Sequence, residues 1–270
     1  MHARGRIAVT GATGRVGRHV VDLLVERGHD VVGISRSLGV DVVTGKGLAD
    51  ALAGVETVID TATGASPEQQ AATEFFTASA RNLQQLGEQA GVRRLVLVSI
   101  IGVDRFTAGY LAAKRAQEQA LLGGPIPTRI LRAAQFHEFV AELVGWGRQD
   151  GVSYVPPMRT QLVAAGTVAE ALVELATVTD SVPAGAGKAP IREIAGPRAE
   201  SLVEVARLLA ARSGDPVRIE AGANQADPDG DLYENGALLP GPHAILAGPT
   251  FEEWLEREAP LVPSLGVRSS

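Results

Sequence analysis

The chain contains no cysteine. Disulfide staples, cysteine-ligated zinc and thiol nucleophiles are therefore excluded at the outset. Lysine is scarce, standing only at positions 46, 114 and 188, so the basic charge is mostly arginine. Positive charge is also in deficit. Against 31 acidic residues stand 25 basic ones, a net charge of −6, which disfavours a nucleic-acid partner bound through its phosphates. No apolar run is long enough to span a bilayer, and residues 1–6 lead into a strand with no apolar signal region ahead of them. A cytoplasmic protein with no membrane partner is the expectation. The five histidines, at 2, 19, 29, 137 and 243, lack metal-ligand spacing, so no metal site is expected. A Gly-x-Ser-x-Gly elbow, the mark of many serine hydrolases, is missing as well.

What the sequence does contain starts at once. Ile7, Ala8 and Val9 form a short apolar run that reads as a buried parallel strand. Between Arg15 and Arg27, Val16, Val20, Leu23 and Leu24 recur at helical spacing, and Gly28 follows as a stop. Between strand and helix stand Gly11, Gly14 and Gly17. The first permits a tight turn, the second lets a pyrophosphate approach the backbone, and the third lets the helix lie close to the sheet. Phosphates would face the free N–H groups of the helix start. Nucleotide binding follows from this context on both sides of the turn.

The second strand, residues 29–34, ends at Ser35-Arg36-Ser37. An acidic residue there would accept bonds from the ribose 2′-hydroxyl of NAD. Arginine instead suits a 2′-phosphate, with Ser35 and Ser37 as extra donors and Arg15 close enough to assist. The expected cofactor is NADP(H) in preference to NAD(H).

Strand and helix patterns then alternate. Strands are predicted at 40–43, 57–61, 94–99, 128–131 and 191–195, and helices at 48–53, 68–90, 110–122 and 167–177. Thr167 with Glu170 reads as a capping box, as do Ser201 with Glu204 and Thr250 with Glu253. A short strand is predicted at 216–220 and a long loop at 222–249. Such alternation implies an α/β fold with a doubly wound parallel sheet and ligand at the carboxyl ends of its strands. The expected division is a nucleotide-binding domain over residues 1–196 and a small C-terminal lobe over 197–270 covering the cofactor cleft.

Tyr110 and Lys114 stand four apart on one helical face. Beside a nicotinamide, the phenol can donate a proton to a carbonyl oxygen, while an ammonium lowers the phenol's pKa and bonds the ribose. Ser99, closing the fifth strand, could orient the substrate carbonyl.

With these residues the chain resembles the atypical short-chain dehydrogenases/reductases of the NmrA-like, isoflavone-reductase-like kind. The matching stretch runs Thr10-Gly11-Ala12-Thr13-Gly14-Arg15-Val16-Gly17, joined by Arg36 and by Asp41, which in such proteins lies near adenine. Ala62-Thr63-Gly64, Ser99 and the Tyr110…Lys114 pair match as well. The likeness covers about residues 6 to 135. It implies a Rossmann-type fold that binds NADP(H), through Gly11, Thr13, Gly14, Arg15, Val16, Gly17, Arg36, Asp41, Ala62, Thr63 and Lys114, with a variable substrate lobe. Catalysis is expected from Tyr110, Lys114 and Ser99, and Phe136 and His137, after the sixth strand, are candidate substrate contacts.

One departure matters. Residues 132–134 read Arg-Ala-Ala, where relatives commonly carry Arg-Pro-Gly, and some members of the family are non-catalytic, nicotinamide-dependent regulators. Two functions therefore compete: an oxidoreductase moving hydride to or from a small carbonyl, quinone or activated double bond, and an NADP-sensing regulator of the NmrA type. A sugar-nucleotide epimerase is disfavoured by the short C-terminal lobe with no evident basic site. The expected partner is a small-molecule substrate, and no feature of the sequence bears on oligomeric state.

Overall fold

The first strand, β1 (Arg6–Thr10), is buried along almost its whole length and feeds α1 (Arg15–Glu26), whose Val16, Val20 and Leu24 face inward. The computed structural model describes residues 5–178, 191–222 and 227–258. After α1 come β2 (Val31–Ile34), α2 (Leu48–Ala51), β3 (Val55–Asp60), α3 (Gln69–Ala90), β4 (Arg94–Ile100), α4 (Gly109–Leu122) and β5 (Thr128–Ala133). Then follow α5 (Phe139–Trp146), β6 (Arg148–Gln149), β7 (Val152–Val155), β8 (Arg159–Thr160), α6 (Ala165–Thr177) and β9 (Ile191–Ala195). The last elements are β10 (Glu200–Ser201), α7 (Leu202–Ser213), β11 (Arg218–Ala221), α8 (Gly230–Glu234), β12 (Ile245–Leu246) and α9 (Phe251–Glu258).

These elements form two units. The first gathers the described residues of Met1–Arg132 and Ala165–Arg192, the second those of Ala133–Ala164 and Glu193–Ser270. The single boundary expected at residue 196 differs from this division, because residues 133–164 group with the C-terminal part.

In the first unit five strands run in the order β5-β4-β3-β1-β2. The pairs β1–β2, β1–β3 and β3–β4 are parallel, with Ile7 opposite both Val31 and Thr57. Consecutive residues such as Ala8 and Val9, Val58 and Ile59, and Val96 and Leu97 are all buried, so both faces of the sheet are covered. Helix α1 packs beside α6, and α3 beside α4. This is the doubly wound, Rossmann-type α/β architecture expected from the sequence. Strand order reverses between β1 and β3, and in such sheets the crevice at the carboxyl ends there receives the ligand.

Several local expectations fail. Residues 40–43 form no strand: Asp41 Oδ1 accepts the N–H groups of Val43 (2.8 Å) and Thr44 (3.3 Å), bending the chain into an Asx-type turn. Asn82 Nδ2, from α3, donates to the carbonyls of Val42 (2.9 Å) and Val43 (2.7 Å), taking acceptors a ladder would need. Helix α6 starts at Ala165, so Thr167 lies inside it rather than at its cap, and Ser201, though at the N-cap of α7, makes no side-chain cap hydrogen bond, so that box does not form. The box at Thr250 does form, with Thr250 N donating to Glu253 Oε2 (2.9 Å) and Glu253 N to Thr250 Oγ1 (3.2 Å).

In the second unit β7 pairs parallel with β11 and antiparallel with β6, and α7 packs against α5 and β11. The stretch predicted as a long loop at 222–249 holds α8 and β12 among its described residues, and β12 pairs parallel with β9. Among the described residues no helix is long and apolar enough to cross a membrane.

Candidate cofactor and catalytic site

The chain leaves β1 through Gly11, whose φ of +65° is left-handed. A Cβ there would lie 2.7 Å from the Thr61 carbonyl oxygen and 2.9 Å from Ala62 Cα, so no side chain fits. At Gly17 a Cβ would stand 2.1 Å from the Gly11 carbonyl oxygen; α1 is seated directly on the turn. These two glycines are demanded by the fold itself. Gly14 is different. Its N–H closes the turn onto Gly11 O at 2.8 Å, yet it is exposed and stands at the N-cap of α1 with no side chain capping the helix. The helix start, with its partial positive charge, is thus left open to an anion. Thr13 is exposed beside it, Arg15 is half-buried, and Val16 is a core side chain that could offer a ligand only its backbone.

Arg36 follows β2, exposed at the start of a 3-10 turn (Arg36–Leu38). Ser35 Oγ and Ser37 Oγ lie 2.9 Å apart next to it. The Ala12 N–H donates to Ile34 O at 3.3 Å and so ties the glycine turn to the end of β2. Asp41 is half-buried, its carboxylate spent on its own turn. An uncapped helix start, an open glycine and an exposed guanidinium at the β2 end together fit a dinucleotide.

The other half of the site hangs on α4. The Tyr110 hydroxyl stands 3.0 Å from Thr63 Oγ1 in the loop after β3, and its ring meets Phe76 edge-on with centroids 5.6 Å apart. Burial raises the phenol's pKa above its usual value, opposed by the Thr63 hydrogen bond. The lowering of the phenol by Lys114 expected from the sequence is not found. Lys114 is only 5% exposed, and its ammonium donates to Val98 O (2.9 Å) and to Gln117 Oε1 (2.6 Å) while lying 4.7 Å above the Phe76 ring. Burial pulls its pKa down to about 8, against the attraction of Asp60 and Glu118.

Behind the lysine is a buried polar network. Gln117 Nε2 donates to Asp60 Oδ2 at 3.0 Å, and Asp60 Oδ1 accepts from Thr10 Oγ1 and from the Ala62 N–H (3.1 Å). Sequence reasoning singled out neither Gln117 nor its link to Asp60, though position 117 follows Lys114 by three and Tyr110 by seven on the same helical face. Ser99, near the end of β4, is buried, and its hydroxyl makes no hydrogen bond among the described residues. Arg132, the retained arginine just before the Ala133-Ala134 departure, is a clamp. It holds both oxygens of Glu118 (2.9 and 2.7 Å) and Asp104 Oδ1 (2.7 Å).

Phe136 and His137 belong to the second unit. Phe136 is half-buried and bridges to Val163. His137 is 1% exposed, its Nε2 is 3.1 Å from Pro249 O, and its ring packs against Phe251 and Trp254. Burial pushes its pKa down to about 4, so the ring is neutral. In this arrangement His137 is packed among aromatic rings in the interior of the second unit.

A family model described as NAD(P)H-binding matches residues 11–179, more than half of the chain. The chain belongs to the NAD(P)H-binding family. Among curated relatives of this NAD(P)H-binding protein, a 3-beta-hydroxysteroid dehydrogenase of Mycolicibacterium neoaurum is 33% identical over 34% of this chain and 31% of its own length. The photosystem II assembly factor Ycf39 of Synechocystis sp. is 27% identical over 48% of this chain and 45% of its own. The chain thus spans less than half the length of either relative. Among solved structures, WbmG of Bordetella bronchiseptica in complex with NAD is similar with a TM-score of 0.67 at 16% identity, covering 100% of this chain and 99% of that one. That likeness shows a shared Rossmann-type fold, in keeping with the resemblance to short-chain dehydrogenases/reductases.

Proposed function

We propose that this NAD(P)H-binding protein is an NADP(H)-dependent oxidoreductase that acts on a small carbonyl, quinone or activated double bond. The observation that carries the reading is the Tyr110 phenol, held by Thr63 at the loop after β3, one helical turn from the buried cation Lys114. The glycine turn at Gly14 and the start of α1 would hold the pyrophosphate, and Arg36, with Ser35 and Ser37, the 2′-phosphate. Bound there, the cofactor would supply or accept hydride. The chain's own residues then handle the proton. A phenol whose pKa is raised stays protonated at neutral pH, so Tyr110 can give its proton to a substrate oxygen that gains charge. Thr63 Oγ1 holds that hydroxyl in place. Ser99, with its hydroxyl unspent, is the candidate to orient the substrate carbonyl, and Lys114 supplies positive charge behind the phenol. The relative named as a hydroxysteroid dehydrogenase supports an oxidoreductase, and the NAD-bound structural neighbour supports a nicotinamide dinucleotide as ligand without bearing on the choice of NADP.

A second reading, a non-catalytic NADP-sensing regulator, is favoured by one observation: the Lys114 ammonium is turned to protein atoms, donating to Val98 O and Gln117 Oε1, and the phenol is not lowered by it. The relative named as an assembly factor points the same way. Oxidation of NADPH measured against a panel of quinones, ketones and enones separates the two. Turnover establishes the enzyme; tight NADPH binding with no turnover across the panel establishes the sensor.

A further inference from the structure

The ammonium of Lys114 and the carboxylate of Asp60 share a buried site without touching directly; one side chain stands between them. Gln117 is fully buried, its Oε1 accepting from Lys114 Nζ at 2.6 Å and its Nε2 donating to Asp60 Oδ2 at 3.0 Å. The ammonium can only donate and the ionised carboxylate can only accept. Only a group carrying an acceptor and a donor side by side can serve both, and the amide does so in one orientation. Because Gln117 takes one carboxylate oxygen, the other is left to Thr10 Oγ1 and the Ala62 N–H. Thr10 directly precedes Gly11 of the cofactor turn. Ala62 directly precedes Thr63, which holds the Tyr110 phenol. One buried amide is therefore joined to the lysine, to the glycine turn and to the loop that carries the phenol's partner.

We infer that Gln117 is the positioning residue of this site: its amide fixes the Lys114 ammonium in register with Asp60, and through Asp60 with the glycine turn and the Thr63 loop. The inference rests on the role proposed above for Lys114. The other groups around the ammonium are Val98 O of β4, the Phe76 ring of α3, and Glu118, whose carboxylate Arg132 of β5 already holds. None of these takes the place of the amide, since Glu118 is engaged by Arg132 and the Val98 carbonyl is already bonded.

The test uses the full chain, labelled with carbon-13 at the lysine Cε. Three lysines give three signals, and Lys114 is assigned by its loss in Lys114→Arg. Gln117→Met keeps the length of the side chain and deletes both hydrogen bonds. It should move the Lys114 titration midpoint down by about one pH unit, since a buried ammonium that loses an acceptor gives up its proton more easily, and leave Lys46 and Lys188 unmoved. NADPH affinity, read by fluorescence titration between pH 6 and 10, should weaken several-fold and shift its pH dependence with that midpoint. Gln117→Asn, one methylene shorter, keeps a polar group in the cavity and should move the midpoint the same way by less; it decides the matter if the Met variant does not fold. An unchanged Lys114 midpoint in a folded variant overturns the inference, whatever happens to activity. A shifted midpoint with unchanged NADPH binding supports the Gln117 contact and overturns the cofactor role of Lys114.

Discussion

Thr63 and Tyr110, 47 residues apart in sequence, meet hydroxyl to hydroxyl at 3.0 Å, so the loop after β3 and the first turn of α4 converge on one phenol. If that phenol is the proton donor, Tyr110→Phe removes one oxygen and keeps the ring against Phe76. Steady-state NADPH oxidation should fall about 10²-fold or more, the scale of general acid catalysis, while cofactor affinity by fluorescence titration stays within twofold. Unchanged turnover would mean that Tyr110 serves only as packing.

Arg36 is an exposed guanidinium at the end of β2, where a 2′-phosphate would arrive. Arg36→Ala should weaken NADPH by about 1–3 kcal/mol, the worth of a charge-assisted bond, and NADH by less. Titration calorimetry with both cofactors decides this; equal losses would remove Arg36 from the 2′-phosphate site.

Gly14 and Gly17 should separate binding from folding. A Cβ at Gly17 collides with the Gly11 carbonyl at 2.1 Å, so Gly17→Ala must push α1 off the turn and should cost roughly 2 kcal/mol of stability. At Gly14 the nearest atom to a Cβ is that same carbonyl at 3.1 Å, and the position is exposed. Gly14→Val should therefore melt close to the wild type yet lose NADPH binding, because its side chain occupies the pyrophosphate's approach. A Gly14→Val protein that binds NADPH normally would move the phosphate site elsewhere.

His137 makes the second unit sensitive to acid. Its folded pKa is about 4, against about 6.5 when unfolded, so as pH falls the unfolded chain takes up a proton first. The stability held by the neutral ring is complete above pH 6.5 and is lost between 6.5 and 4, amounting to about 2 kcal/mol between pH 7 and 5. Urea unfolding at those two pH values should show this loss in the wild type, and a smaller one in His137→Phe. An equal loss in both proteins would assign the acid sensitivity to other groups.

Much of the fold was legible because its determinants are local. The spacing of Gly11, Gly14 and Gly17 between an apolar run and an amphipathic helix specifies a strand–turn–helix by itself. A helical period of 3.6 puts Tyr110 and Lys114 on one face whatever surrounds them. The strand at 191–195 and the cap of α9 were read from the same kind of short-range pattern. What failed depended on residues distant in the chain. The apolar run at 40–43 looks like a strand, but Asn82, some 40 residues on, takes the carbonyls of Val42 and Val43 and leaves a turn. Lys114 reads in sequence as the cation that lowers the phenol and bonds the ribose; the Gln117–Asp60 bond that tethers it spans 57 residues, and its depressed pKa comes from burial. His137 reads in sequence as an accessible candidate contact; its burial comes from Phe251 and Trp254, more than a hundred residues later. Backbone pattern is a property of neighbours along the chain. Desolvation and hydrogen-bond partnership belong to neighbours in space, and those were settled only when the strands and helices packed.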